Sequence, residues 1–587
     1  MRQEASAMQT PNSPNASTLP PPPIFTKISA WCAYIILCTF LYWLVAARPL
    51  VALPWQWADD GLFLQQGERI STWLCHPIGP WLGLYDPVLL AKPPGFGFWL
   101  ALVHLSGVPL RVAEFALLLP LPFLFRRAVH PLVSLNGWRF VLVTIFLVGV
   151  PALSGELRLL RGSLQAATAA ATLISAIGLT NRAFAHSESR LKWAMLTGFS
   201  FACSYLNREE SFWLLPAIGT ALLICALVAW SKGSRRLILA PALVAFVSAE
   251  VLIGGVCALN KYHYGIFATS TRRGDELTRL YEILTKLEPE LHEQYVPIKT
   301  STRIHAYRCS PAFAKMESYL EGIGGDEFAK NPFHNEINRR PPGTREFYGS
   351  NFEWALLRAA AHAGATDAPS AERLFGTAAN ELKDSIRQGK IRAGTGGHGK
   401  SNAPIQGDSL RLIQATWKST LLLFTVAGVT RDETPISSGS PEGLQRMSDL
   451  TNTALAPLLE VAKDIPPDDR SFHRQAVRVF AGFLRITLPG FLFALVASVA
   501  WVLIQKRFTA ATLMLVGGGL ILIGSQLTFS VIIAAFDVLA TPTLQWPESY
   551  NRLGFIPLSV LTAYGAVSVM YILSGTRSSG KESRLQC

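Results

Sequence analysis

The sequence predicts an all-α polytopic membrane protein, with about ten transmembrane helices and one mostly helical extracytoplasmic domain inserted before the last three spans. Three observations carry that expectation. Of 587 residues, 50% are hydrophobic and only 16% charged, against roughly 25% charged in soluble domains. The apolar residues come in long blocks, and an apolar run of about 18 to 20 residues spans a hydrocarbon core of roughly 30 Å as a helix. A single long polar interval, residues 261–476, breaks the series late in the chain. A helix satisfies its own backbone hydrogen bonds, so it is the natural form for each apolar block in lipid.

The blocks fall at 28–47, 94–125, 140–153, 164–179, 193–206, 212–230 and 237–259, then at 480–504, 510–535 and 553–573. Residues 1–27, with prolines at 20–23, read as a disordered cytoplasmic tail. They do not read as a secretory signal, because basic residues are sparse and no small-residue cleavage site follows the first block. Residues 28–260 form an N-terminal transmembrane module whose first outer loop is 48–92. Residues 477–575 hold the C-terminal spans, and 576–587 a cytoplasmic tail.

Orientation follows from the short basic loops, since Lys and Arg collect on the cytoplasmic side. With a cytoplasmic N-terminus, Arg126, Arg127 and Arg139 face inward, as do Arg182, Arg190 and Lys192. So do Lys232, Arg235 and Arg236, then Lys506 and Arg507, then Arg577, Lys581 and Arg584. This requires 94–125 to cross once, its Pro- and Gly-rich first half being surface-lying or re-entrant. The net charge of +13 is thereby topological and implies no nucleic-acid partner.

That topology gathers chemistry on the outer face. The first loop carries Asp59 and Asp60 after Trp55 and Trp57, and it re-enters the membrane through Lys92-Pro93-Pro94-Gly95. A carboxylate at the membrane surface can take a proton from a sugar hydroxyl or bind a divalent cation. Equally, adjacent aspartates are common solvated loop residues, and a lysine at this depth often only snorkels. Segment 155–163 adds Arg158 and Arg161. The helix junction Asn207-Arg208-Glu209-Glu210-Ser211 adds an arginine and two glutamates, which could equally be a helix-end charge cluster. Segment 537–552 adds Arg552.

An acidic pair just after the first helix, followed by Lys92-Pro93-Pro94-Gly95 entering an apolar helix, resembles the GT-C superfamily of polytopic membrane glycosyltransferases. That superfamily includes protein mannosyltransferases and aminoarabinose transferases. The Arg208-Glu209-Glu210 element is similar to one found in bacterial relatives, and Ser549-Tyr550-Asn551-Arg552 is loosely similar to their late Arg/Tyr element. The likeness covers about the first 260 residues. It implies transfer of a sugar from a polyprenyl-phosphate-linked donor to a lipid, glycan or protein acceptor, at the outer face of the bacterial cytoplasmic membrane. Lys92, Arg158, Arg161, Arg208 and Arg552 would then supply cations to the donor phosphate. Asp59 or Asp60 would act as base, and Glu209 or Glu210 would orient the arginines or bind sugar hydroxyls. No particular cofactor follows from the residues, and a divalent cation is compatible with the carboxylates.

Helices are expected in the polar interval at 275–291, 351–363 and 371–388, the last two stopped by Gly364 and Gly389. Residues 394–401, Gly-Thr-Gly-Gly-His-Gly-Lys-Ser, match the phosphate-loop pattern in full. A true phosphate loop lies between a buried strand and a helix. Here Asn402-Ala403-Pro404 comes next instead, and the segment is expected on the side without nucleotides, so the match reads as accidental. Cys32, Cys38, Cys203, Cys225 and Cys257 lie in apolar blocks, and a Cys75–Cys309 disulfide stays open. No Cys/His spacing suggests zinc. A glycolipid or polysaccharide transporter or flippase and a non-catalytic assembly subunit are the alternative functions. The absence of an evident inverted repeat speaks against transport.

Overall fold

The computed structural model describes residues 24–46, 49–54, 59–154, 158–185, 189–231, 233, 235–287, 295–329, 341, 343–394, 409–426, 436–458, 471–505, 509–539 and 554–582. Every regular element among them is helical. The chain opens with α1 (Ile24–Ala46) and then forms α2 (Asp60–Cys75), inside what the sequence suggested was loop. Next come α3 (Gly95–Ser106), α4 (Leu110–Leu118) and α5 (Pro120–Val129). A π turn at Ile145–Gly149 joins α6 (Trp138–Thr144) to α7 (Val150–Ser154). The bundle continues with α8 (Gly162–Phe184), α9 (Arg190–Asn207), α10 (Leu215–Ser231) and α11 (Arg235–Tyr264).

The polar interval then folds as α12 (Asp275–Lys286), α13 (Thr300–Cys309), α14 (Pro311–Ala314), α15 (Glu317–Leu320), α16 (Asn351–His362) and α17 (Ala368–Arg387). After it come α18 (Ser409–Phe424), α19 (Pro441–Thr451), α20 (Ser471–Gln505), α21 (Ala510–Leu539) and α22 (Phe555–Glu582). Gly364 and Gly389 take positive φ, 99° and 70°, just past the ends of α16 and α17. Glycine adopts that conformation without a Cβ penalty.

Seven of these helices are long and apolar enough to cross a membrane: segments of α1, α8, α10, α11, α20, α21 and α22. The chain is therefore an all-α, multi-pass membrane protein. Three of the ten apolar blocks take other forms. Block 94–125 is two arms, Gly95–Ser106 and Leu110–Val129, bent by 116°. The bend falls where Gly107 has φ +66° and Pro109 lies two residues on. Helix Trp138–Leu153 is short. α9 is rich in buried Ser, Thr and Asn and packs between α8 and α11.

Among the described residues, two large hydrophobic cores stand beside a small cluster of Tyr295, Val296 and Tyr348. The first joins Phe125, Phe146, Leu173, Ile177, Leu488, Leu522 and Tyr564 of the membrane helices. The second joins Tyr281, Phe313, Phe352 and Leu382 of the polar interval to Phe63 of α2 and Phe96 and Leu100 of α3. The first arm of block 94–125 thus packs outside the membrane-helix core, as its Pro and Gly content suggests. The polar interval is not one piece either. Ala415 and Leu423 of α18 belong to the first core, and the helix lies against α21. Its other side presents Leu410, Ile413, Trp417 and Leu421, all exposed, at helical spacing.

The loops that carry Arg126, Arg127 and Arg182 meet at one end of the bundle. Arg182 donates to the carbonyl of Arg127 at 3.0 Å, and Arg126 to Asn136 at 2.8 Å. Arg161 sits at the opposite end of α8 from Arg182, about 32 Å away at ~1.5 Å per residue.

Candidate functional site

Asp59 and Asp60 sit at the start of α2, where the helix dipole favours negative charge. The Asp59 carbonyl accepts the first helical hydrogen bond, from Phe63 N at 3.0 Å. The two carboxylates part from there. Asp60 is fully buried and accepts from Arg158 Nε at 3.1 Å, from the other arm of the same guanidinium, and from Leu159 N at 3.2 Å. A parallel bridge holds that arginine's backbone against Val51, in the segment that precedes α2. Asp59 keeps 43% of its side chain open and accepts from Lys92 Nζ at 2.6 Å.

Lys92 reaches Asp59 because Pro93 is its next neighbour in the chain. A residue before proline is pushed to extended geometry, and Lys92 has φ −116° and ψ 145°. Gln66 holds the turn by donating to Leu89 O at 2.8 Å and Lys92 O at 3.3 Å. Gly95 is needed for close approach, since a Cβ there would lie 2.6 Å from the Leu206 carbonyl. The Lys-Pro-Pro-Gly turn is thus pressed onto the Asn207–Glu210 junction. Lys92 is buried, and its ammonium lies 4.8 Å from the Phe63 ring centre, with Arg161 over the same ring at 5.4 Å.

Arg161 ties this turn to the junction. It donates to Asn207 O at 3.0 Å and lies 3.5 Å from Glu209. Asn207 answers with Nδ2 to Arg161 O at 3.1 Å and to Gln165 at 3.0 Å, and Gln165 bonds both Ser204 and Ser211 at 2.8 Å. Arg208 pairs with Glu210 at 3.7 Å. Arg272 reaches in from beyond α11, 3.6 Å from Glu209 and 2.7 Å from Glu353 of α16, with its guanidinium over the Trp354 ring at 5.3 Å. Trp354 also lies 5.6 Å from the Lys92 ammonium.

The electrostatics separate the two aspartates. Burial pushes both carboxyls up. At Asp59 the Lys92 ammonium, with Arg158 and Arg161 beyond it, outweighs burial and brings the pKa down to about 2. At Asp60 burial prevails over the Arg158 charge and hydrogen bonds, and the pKa rises to about 6. Burial, with Arg161 adding to it, holds Lys92 below the usual lysine range despite Asp59. Arg272 is shifted the other way, because Glu353, Glu209 and Glu210 outweigh its burial.

Asp59, Asp60, Lys92, Arg158, Arg161, Arg208, Glu209 and Glu210 therefore meet at one end of the bundle, opposite the end that holds Arg127 and Arg182. Arg552, Trp55, Trp57 and residues 395–401 lie outside the described residues. Arg272, Glu353 and Trp354 were missed. The signal available was the basic pair Arg272-Arg273 shortly after α11, but nothing in the sequence ties it to Glu209. A divalent cation has no cage: among the described residues no three His, Cys, Asp or Glu side chains converge. Each carboxylate faces a cationic side chain instead. Cys75 and Cys309 are both free thiols. Comparison with protein-family models, with curated proteins and with solved structures finds no match to this chain.

Proposed function

We propose that the chain is a membrane glycosyltransferase, moving a sugar from a polyprenyl-phosphate-linked donor to an acceptor at the outer face of the cytoplasmic membrane. One observation carries the reading: a half-open carboxylate, Asp59, sits 2.6 Å from a buried ammonium, Lys92, with two more cations adjacent. A lipid phosphate needs such cations at headgroup depth, and a hydroxyl acceptor needs such a carboxylate.

The acceptor oxygen attacks the anomeric carbon while the bond from that carbon to the phosphate oxygen breaks. The bonding pair leaves with the phosphate, and the hydroxyl proton passes to Asp59. Lys92 and Arg161 meet the charge that develops on the leaving phosphate. In the resting site Asp59 is a weak base, because Lys92 holds it. An arriving phosphate competes for that ammonium, which loosens its hold on Asp59 and raises the carboxylate's basicity. Asp60, enclosed by Arg158 and the Leu159 amide, positions the start of α2.

The test is sugar transfer from a polyprenyl-phosphate donor in proteoliposomes. Asp59→Asn keeps the shape and removes the base, so kcat falls by about 10²- to 10⁴-fold with a much smaller change in KM. Full turnover in that variant rejects Asp59 as the base. Donor movement across the bilayer without transfer would favour a flippase instead.

A further inference from the structure

The unit built on the second core carries an open groove of about 520 Å³, lined from one side by Tyr85 and Asp86 and from the other by Tyr319, Glu327, Arg358 and His362. Its polar groups are fixed before any ligand arrives. Arg358 pairs with Glu327, and Tyr319 donates its hydroxyl to the same carboxylate at 3.2 Å. Asp86 is set by Val88 N at 2.9 Å and Leu89 N at 3.2 Å. The Tyr319 and His362 rings lie 5.3 Å apart, tilted by 41°.

Two elements connect this groove to the Asp59–Lys92 pair. The turn that Asp86 caps runs through Leu89–Ala91 directly into Lys92. α16 begins beside the site, where Glu353 holds Arg272 and Trp354 lies against Lys92, and it ends in the groove at Arg358 and His362. From Glu353 to His362 is about 13 Å along the helix at ~1.5 Å per residue. The groove and the site are therefore joined by one helix and one short turn.

We infer that this groove binds a neutral saccharide, the part of the acceptor remote from the reacting hydroxyl; the acceptor role rests on the glycosyltransferase reading above. Aromatic rings offer flat apolar faces for the C–H faces of a pyranose. Fixed carboxylates accept from sugar hydroxyls, and fixed guanidinium N–H groups donate to them. The groove presents both signs of charge, Asp86 and Glu327 with Arg69 and Arg358, which suits a ligand whose every hydroxyl both donates and accepts. A ligand with one net charge would meet repulsion from half of them. The volume falls in the range of small-ligand sites, about 300 to 1,000 Å³.

The experiment uses the full chain in nanodiscs and saturation-transfer NMR. The probes are neutral tetrasaccharides of glucose, galactose, mannose and N-acetylglucosamine, with tetra-alanine as the peptide counterpart. At least one tetrasaccharide binds the unaltered chain and binds Asp59→Asn equally well. Tyr85→Ala and His362→Ala weaken it about tenfold or more, whereas Tyr85→Phe, which keeps the ring, restores binding. The inference is overturned if no tetrasaccharide binds, if binding ignores Tyr85→Ala and His362→Ala, or if tetra-alanine binds there in preference. The transfer assay separates the two readings. If Asp59→Asn keeps full turnover while Tyr85→Ala loses saccharide, the groove stands and the catalytic reading falls. If Asp59→Asn abolishes transfer but Tyr85→Ala leaves acceptor KM unchanged, the groove falls and the catalytic reading stands.

Discussion

The Lys92 ammonium stands 2.6 Å from the Asp59 carboxylate, 33 positions away in the chain. This pair joins the N-terminal end of α2 to the turn that enters α3. Removing the cation acts on two things at once. Lys92→Met leaves a donor phosphate without its buried partner, so donor KM rises as well as kcat falling, because phosphate is charged in the ground state too. The same change lets the Asp59 pKa rise from about 2. The acid limb of the kcat/KM profile therefore moves to higher pH. A profile unmoved by Lys92→Met would break the proposed link between the two residues.

The aspartates also shape stability against pH, in separate windows. Asp60 folds with a pKa raised to about 6 from 3.8. Between those values the folded chain binds the proton more tightly, so this contribution is fully present below about pH 4 and is lost as pH rises through 6. Asp59 is depressed to about 2, so its contribution is present above about pH 4 and is lost as pH falls towards 2. Thermal unfolding in detergent between pH 4 and 7 should lose part of its slope in Asp60→Asn and keep it in Asp59→Asn. Equal slopes in all three proteins would contradict the assignment.

Gly95→Ala tests the close approach of the re-entry turn to the junction at Asn207. The added Cβ meets the Leu206 carbonyl at 2.6 Å and Asn207 N at 2.9 Å. Backbone on both sides cannot yield cheaply, and overpacking of this kind costs about 1 to 3 kcal/mol. The expected result is a lower Tm together with weaker donor binding, since Lys92 moves with the turn. A variant as stable and active as the parent would show that the two segments are not pressed together.

Cys75 is an exposed, free thiol at the end of α2. Trp138, 60% exposed, lies at the basic end of the bundle. A membrane-impermeant maleimide applied to intact cells should label Cys75, and should miss a cysteine placed at Trp138. Labelling of the Trp138→Cys site from outside, with Cys75 protected, would invert the proposed topology.

Much of this molecule is local in origin and so was legible in the sequence. Long apolar blocks can only be helices in lipid, and that property needs no knowledge of neighbours. The Pro and Gly content of block 94–125 marked its first half as surface-lying or re-entrant, and the helices at Asn351–His362 and Ala368–Arg387 were readable from their glycine stops. Asp59, Lys92 and Arg208 could be singled out because charge beside an apolar block is conspicuous.

Tertiary structure alone decided how those charges are used. Asp59 and Asp60 are neighbours with the same chemistry, yet one faces Lys92 half-open and the other is sealed by Arg158. That difference comes from which way the first turn of α2 rotates against residues 33 and 98 positions away. No local pattern marks Arg272 and Glu353 as partners, since their pairing is a contact 81 positions apart. The same holds for α18, whose seat against α21 depends on where the membrane bundle left an uncovered flank. Composition and periodicity report what each segment must bury. Only the packed chain determines which surfaces it is buried against.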